Sequence, residues 1–456
     1  MALSVTRQRR AHLADQGASS SSSPSDRYSK EDKGEKKEKG AGVGWLLPAL
    51  VLGVFRYGSA SSNIIHDCDE VFNYWEPLHY LLYKSGFQTW EYSSEFALRS
   101  YLYIFFHALM AGPASLLYID EKVKVFYSVR LFLGLISTIT DTFLVVALSR
   151  KYGKRLAWYT LAMLCLTSGC FFASTSKLLL LFCYLLSVSN SWFLFYILFT
   201  LEHDAHLSLT SLIHKYSFSG FLPSSFSIFL YPIYPLICIA ATAVIDSFPD
   251  LFRDKYAVED STLVMIAKGV RPVFLGLILC ASHSRTFSIL NGYSAPLEIY
   301  KHLDHHDVVG NETVLCVGSE WHRYPSSFFV PSYIKEVRWI DEGFRGLLPF
   351  PFNSSLGGMA AAPPYFNDKN KASSDQYLKD IELCTFFVEL SLQRPYPARG
   401  SDLSTWETLA AIPYLDRELS PAMFRSFFIP YKWTHENTFG LYKLLKKIPK
   451  STGGHT

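Results

Sequence analysis

The sequence predicts a mainly helical, multi-pass membrane protein that ends in a water-facing α/β domain, and three observations carry that prediction. Apolar runs recur through the first two-thirds of the chain, several near the roughly 20 residues that a helix needs to cross the hydrocarbon layer. Those runs lack the polar stripe of helical period that a packed soluble helix would show. From about residue 284 charge returns and short β-rich runs appear. Composition agrees: 49% of the 456 residues are apolar and 16% aromatic, while only 18% are charged, against about 25% in an average soluble domain. The net charge is +3, and the first forty residues alone carry nine Lys/Arg against six Asp/Glu. The remainder is neutral and gives no case for nucleic acid as a partner.

Residues 1–42 hold Arg7, Arg9, Arg10, a serine run at 19–23 and a mixed charged tract at 30–39. Their low apolar content predicts a disordered tail, and their basic character keeps it cytosolic. The apolar run at 45–65, interrupted by Arg56, then delivers residues 66–100 to the lumen as a first loop. The run at 101–118 contains His107, Gly112 and Pro113 and opens with Tyr101 and Tyr103, which suits the membrane interface better than a full crossing. The run at 125–148 then heads inward and leaves Lys151, Lys154 and Arg155 cytosolic. Arg130 and Asp141 inside it are costly in lipid and should face a bundle interior. Runs at 156–173, 178–201, 221–245 and 263–281 complete a membrane domain taken as residues 43–283.

Residues 284–456 read as a lumenal α/β domain, with strands expected at 313–317, 336–340 and 385–390 and helix at 287–303. Its sequons, Asn311-Glu312-Thr313 and Asn353-Ser354-Ser355, can be glycosylated only on the lumenal side. Of the eight cysteines, five lie in membrane runs. Cys316 and Cys384 belong to the expected strands and read as buried thiols, with a disulfide as the alternative that a lumenal setting would permit.

Four acids follow the first run: Asp67, Asp69, Glu70 and Glu76. One reading is an acidic first turn of a helix at a membrane surface. The other is chemical, because Tyr74, Trp75, Tyr80, Trp90 and Tyr92 come directly after. Aromatic faces beside carboxylates suit a sugar, and a carboxylate there could take the proton from a sugar hydroxyl. The tract Lys301-His302-Leu303-Asp304-His305-His306-Asp307 has metal-ligand residue types without a ligand spacing, and reads as a solvated turn.

The stretch from Asp67-Cys68-Asp69-Glu70 through Asn73-Tyr74-Trp75-Glu76-Pro77 and His79-Tyr80, with Gln88-Thr89-Trp90-Glu91-Tyr92 and Leu98-Arg99-Ser100, closely resembles the dolichyl-phosphate-mannose-dependent α-1,2-mannosyltransferases of glycosyltransferase family 22. The likeness resumes at Phe229-Leu230-Tyr231-Pro232 and at Gly318-Ser319-Glu320-Trp321-His322-Arg323-Tyr324-Pro325-Ser326-Ser327. It covers about 66–175 and 221–450. The resemblance implies a GT-C fold in the endoplasmic-reticulum membrane and inverting transfer of mannose from dolichyl-phosphate-mannose to dolichyl-diphosphate oligosaccharides of six and eight mannoses. It makes Asp69 the first choice for the base, with Glu70 and then Asp67 behind it. Tyr74, Trp75, Glu76, His79, Trp90, Glu91 and Arg99 become candidates for substrate contact. No cofactor is firmly implied, although the acid pair could instead hold a divalent cation.

The chain departs from that pattern in its middle. Family members carry a His-Lys-Glu-Glu-Arg-Phe run before the Tyr-Pro-Leu segment, a natural place for cations facing the donor phosphate. Here Phe226-Ser227-Ile228-Phe229 stands there, and residues 177–220 resemble nothing in the family. A shortened or alternatively spliced centre is the expected origin. The alternatives carried forward are a catalytically silent membrane protein and a related α-1,6 or glycosylphosphatidylinositol mannosyltransferase.

Overall fold

The computed structural model describes residues 42–99, 101–175, 234–253, 261–303, 313–363, 365–396 and 404–448. Residues 1–41 of the expected tail, the atypical segment 177–220, the run at 178–201 and Asn311 lie outside the described residues.

The first apolar run folds as α1 (Leu46–Ser62), which packs along the 31-residue α5 (Lys122–Tyr152). A charge inside such a pair must find a partner. Arg56 Nη2 lies 2.7 Å from Asp141 Oδ2, and the guanidinium also donates to the carbonyl oxygens of Leu164 and Cys170. The arginine that interrupts the first run is therefore the counterion of the acid in the next long helix. Arg130 is also buried and donates to the Asn63 carbonyl at 2.8 Å. Arg130 and Asp141, the two charged groups of the apolar run at 125–148, both face inward, as buried charge requires.

Among the described residues, three stretches are long and apolar enough to cross a membrane: α5, Tyr234–Phe252 and Thr262–Tyr293. The α4 helix (Leu102–Leu117) has 16 residues, short of a crossing. The run expected as one span at 156–173 is two helices, α6 (Lys154–Leu166) and α7 (Ser168–Ala173). Thr167 between them is extended, and its hydroxyl donates back to the Met163 carbonyl at 2.7 Å, which favours a break. Between α7 and the next described helix, α8 (Tyr234–Ser247), the chain is not described. Helix α9 (Thr262–Tyr293) runs twelve residues past the apolar stretch expected to end at 281, so one helix crosses the boundary placed at 283. Its early residues Leu263, Met265 and Ile266 are exposed, whereas Thr286, Ser288 and Gly292 are buried.

Among the described residues, the C-terminal domain is built on one five-stranded sheet. Its strands are β2 (Val314–Val317), β3 (Glu336–Trp339), β5 (Phe386–Ser391), β6 (Trp406–Leu415) and β7 (Phe439–Lys447), in the order β3-β2-β5-β7-β6. Strand β2 pairs parallel with β3 and β5, while β7 pairs antiparallel with β5 and β6. The three shorter strands match the expected ones, and β6 and β7 were not expected. The Lys443–Lys447 stretch of β7 lacks clean alternation, and β6 carries Pro413, which an edge strand tolerates because its N–H side need not pair.

The parallel pairing of β2 with β5 corrects one expectation. It brings Cys316 in β2 beside Cys384, just ahead of β5, with Cα atoms 5.7 Å apart, and the two form a disulfide. Strand neighbours distant in sequence are invisible to residue-type reasoning, which is why buried thiols were expected. Closing a loop across a sequence separation of 68 should contribute about 4 kcal/mol. The expected outcome for Cys316→Ser or Cys384→Ser is a fall in unfolding free energy of that order. Thermal unfolding checks it, with a mobility shift on reduction as the control for the bridge.

Candidate functional site

The acidic stretch forms where α1 gives way to a turn that needs a cap. Asp67 has extended backbone, and its Oδ1 accepts from Asp69 N at 3.0 Å, capping the three-residue helix α2 (Cys68–Glu70). Acids in a first helical turn are stabilised by the unsatisfied N–H groups there. The capping reading is therefore correct for Asp67, and it leaves Asp69 exposed at the turn. The chain continues as a π-helical turn, Val71–Trp75, a geometry that recurs at functional sites, and then as α3 (Glu76–Tyr83).

The structure divides the expected site residues into two sets. Asp67, Asp69, Tyr74, Trp90, Glu91 and Arg99 are partly or fully exposed. Arg99 Nε pairs with Glu91, and Tyr74 shares that cluster through its hydroxyl and packs edge-on against Tyr103, with centroids 5.2 Å apart. Glu70, Trp75, Glu76 and His79 are buried. Trp75 donates its indole N–H to Glu70 Oε1 at 3.3 Å and packs at a tilt of 43° against Phe126, centroid to centroid 4.1 Å.

Glu76 is a joint. Its Oε1 accepts from Ser326 Oγ at 2.7 Å and Ser327 N at 2.6 Å, and its Oε2 accepts from Ser327 Oγ at 2.7 Å and Phe87 N at 2.9 Å. Burial pushes its carboxyl above the ordinary range, and these four donors pull the other way. The backbone bends to serve it. Ser326 holds φ at 136°, and a Cβ on Gly86, φ 143°, would meet the Glu76 carbonyl oxygen at 2.8 Å. Phe87–Gln88 then pairs antiparallel with Phe350–Pro351, so the first loop lends a strand to the C-terminal domain.

Two histidines flank this stretch without a charge of their own. His79 Nδ1 lies 2.6 Å from the Ser85 carbonyl oxygen, and burial, with Lys122 nearby, lowers its pKa to about 3. His66 is lowered to about 3 by burial and by the charges of Arg130 and Arg285. Residue-type reasoning missed both Ser326 and Arg285 as neighbours of the acidic loop. Nothing local in the sequence signals either, since each lies more than 200 residues away.

Asp67, Cys68 and Asp69 place one ligand atom each within 4.8 Å of one another. Burial and the two flanking acids keep the Cys68 thiol protonated, and Asp67 Oδ1 is occupied by the cap. A hard cation here could draw on at most Asp67 Oδ2 and the Asp69 carboxylate, so most of its shell would have to come from water or substrate oxygens.

A profile of the Alg9-like mannosyltransferase family matches residues 47–229 and 226–331. An α-1,2-mannosyltransferase ALG9 of Arabidopsis thaliana is 51% identical over 573 residues, spanning 99% of this chain and 100% of the relative. The chain belongs to the Alg9-like mannosyltransferase family. The human α-1,2-mannosyltransferase ALG9 is 26% identical, covering 88% of this chain and 89% of its own, and that of Schizosaccharomyces pombe is 26% identical over 90% and 96%. No solved structure matches. The Arabidopsis alignment is 117 positions longer than the 456 residues present here, so this family member lacks residues that its relative has. The two profile matches meet at 226–229, where the expected basic run is absent.

Two outcomes follow from the buried half of the site. Glu76→Gln turns an acceptor into an N–H₂ facing a backbone N–H, at either Phe87 or Ser327, and should cost about 3 kcal/mol, read as a lowered unfolding midpoint. His79 refuses a proton that the unfolded chain accepts below pH 6.5. Its contribution is complete above pH 6.5 and is lost at about 1.4 kcal/mol per pH unit as pH falls toward 3. In His79→Gln the slope of stability against pH between 6 and 4 should be shallower by that amount.

Proposed function

We propose that this protein transfers mannose in α-1,2 linkage from dolichyl-phosphate-mannose to the lipid-linked oligosaccharide precursor of N-glycans, from within the endoplasmic-reticulum membrane. The observation that carries the reading is the capped turn Asp67–Glu70 in a chain 51% identical, over its whole length, to an α-1,2-mannosyltransferase. The turn presents one exposed carboxylate, Asp69, between long apolar helices and a water-soluble domain.

In this reading Asp69 takes the proton from the acceptor's 2-hydroxyl, the oxygen attacks C1 of mannose, and the bond from C1 to the phosphate oxygen breaks with inversion. Phosphate is a good leaving group and needs no acid, so the protein's work is positioning and stabilising charge. Glu70, buried and held by Trp75, supports the turn, and Tyr74, Trp90, Glu91 and Arg99 offer the aromatic faces and polar groups that a sugar needs. Trp75, Glu76 and His79 act beneath that surface as its support.

A multi-pass GT-C arrangement with a lumenal C-terminal domain completes the proposal. It is supported by the three long apolar helices, by the Cys316–Cys384 bridge, which suits an oxidising compartment, and by the exposed sequon residue Asn353. The test is transfer of labelled mannose from dolichyl-phosphate-mannose in microsomes. Asp69→Asn should lower kcat by about 100-fold or more with little change in KM. Equal rates would remove Asp69 as the base, and a wild-type chain without transfer would overturn the proposal.

A further inference from the structure

Two short helices, Ala422–Ser426 and Lys432–Glu436, form an arm against the end of α9. Ser288 Oγ donates to the Arg425 carbonyl at 2.8 Å, Ser284 Oγ to the Phe428 carbonyl at 2.9 Å, and the indole N–H of Trp433 to Ser288 Oγ at 3.0 Å. Arg285 Nη1 donates to the Ser426 carbonyl at 3.2 Å. Arg425 Nη1 reaches the Arg417 carbonyl, closing the arm on itself. These clips bring Arg417 and Arg425 close enough to Arg285 for the three charges to repel.

Like charges gathered in this way call for an anion. The acids nearby are already engaged: Asp416 and Glu418 with Arg394 at 3.0 and 3.2 Å, and Glu320 with Arg323 at 2.6 Å. Among the described residues none of Arg285, Arg417 and Arg425 is paired with a carboxylate.

Position says which anion. Ile278, partly exposed on the apolar stretch of α9, lies seven residues before Arg285, or about 10 Å along the helix. The arm itself exposes Leu419, Met423, Phe427 and Tyr431, an apolar fringe beside cations of the kind that rests at a bilayer surface. The charge of Arg285 acts on His66, the residue before Asp67.

We propose that Arg285, Arg417 and Arg425 form a phosphate site for a polyprenyl-phosphate substrate, supplied by the C-terminal arm at the membrane surface beside Asp67–Glu70. This deepens the mannosyltransferase reading and rests on it for its role. The leaving phosphate gains negative charge as the bond to C1 breaks, and guanidinium donors fixed in place stabilise it without reorganising. The arm would thereby supply the cations that the central segment of this chain lacks.

The test is binding, not transfer, so that its failure leaves the mannosyltransferase reading standing. It uses the full chain in phosphatidylcholine nanodiscs, with farnesyl phosphate as the probe and farnesol as its uncharged counterpart. Farnesyl phosphate should raise the unfolding midpoint and farnesol should not. Arg285→Gln, and separately Arg417→Gln with Arg425→Gln, should weaken farnesyl phosphate at least tenfold, while Arg285→Lys retains part of the affinity and the remote Arg345→Gln retains all of it. Should Arg285→Gln fail to fold, the pair on the arm carries the test. Unchanged affinity in the variants, equal binding of farnesol, or complete displacement of the probe by phosphatidylserine nanodiscs, which would make this a general anionic-lipid surface, each overturns the proposal.

Discussion

The arrangement of the site depends on one buried carboxylate. Glu76 takes four hydrogen bonds from residues of two separate parts of the chain, and a carboxyl group with no solvent contact is tolerable only when its acceptor capacity is met. The first loop therefore cannot drift from the C-terminal domain without stranding that carboxylate. Around it packs an aromatic core to which the loop gives Phe72, Trp75 and Phe87, the domain gives Tyr324, Phe328 and Trp339, and α5 gives Phe126. Hydrophobic burial supplies most of the cohesion, and the carboxylate supplies the register.

A similar constraint governs the helices. Arg56 and Asp141 lie 85 residues apart, each too costly to leave alone among apolar neighbours. Pairing them sets how α1 slides and rotates on α5, and Gly134 allows the close approach, since a Cβ there would stand 3.3 Å from the Arg56 carbonyl oxygen. Arg130, four residues before Gly134 on the same helix, extends the lock to Asn63 at the end of α1, four residues before Asp67. The acidic turn is thus anchored from below by α5 and from the side by Ser326 and Ser327.

Much of this was legible in the sequence, and the limit is a physical one. Apolar runs report burial in lipid or protein, so the long helices were visible, and the acidic motif was specific enough to indicate the family. Three of the five strands followed from their residue types. Whatever depends on pairing across long distance was not visible. Cys316 and Cys384 were placed in strands but not next to each other, because local pattern does not say which strands are neighbours. Glu76 and His79 were grouped with substrate-facing residues because they share a motif with Asp69, yet the helix turns them inward. Along α3 neighbouring residues face in different directions, and sequence proximity does not separate a surface from its support.

The joint at Glu76 also bears on the chemistry. An inverting displacement needs its base on one side of C1 and its leaving phosphate on the other, so two groups must be held apart at a fixed distance. Asp69 belongs to a turn near the start of the chain, whereas Arg417 and Arg425 belong to an arm near its end. No single element holds both. Their spacing is set through the Glu76 contacts with the C-terminal domain and through α9, whose last turns bring Arg285 to that domain. A chain with an altered centre can keep such a spacing, because the contacts that define it lie among the first loop, α5, α9 and the C-terminal sheet. In the proposed reaction, the separation of base from phosphate is then a property of the tertiary joint.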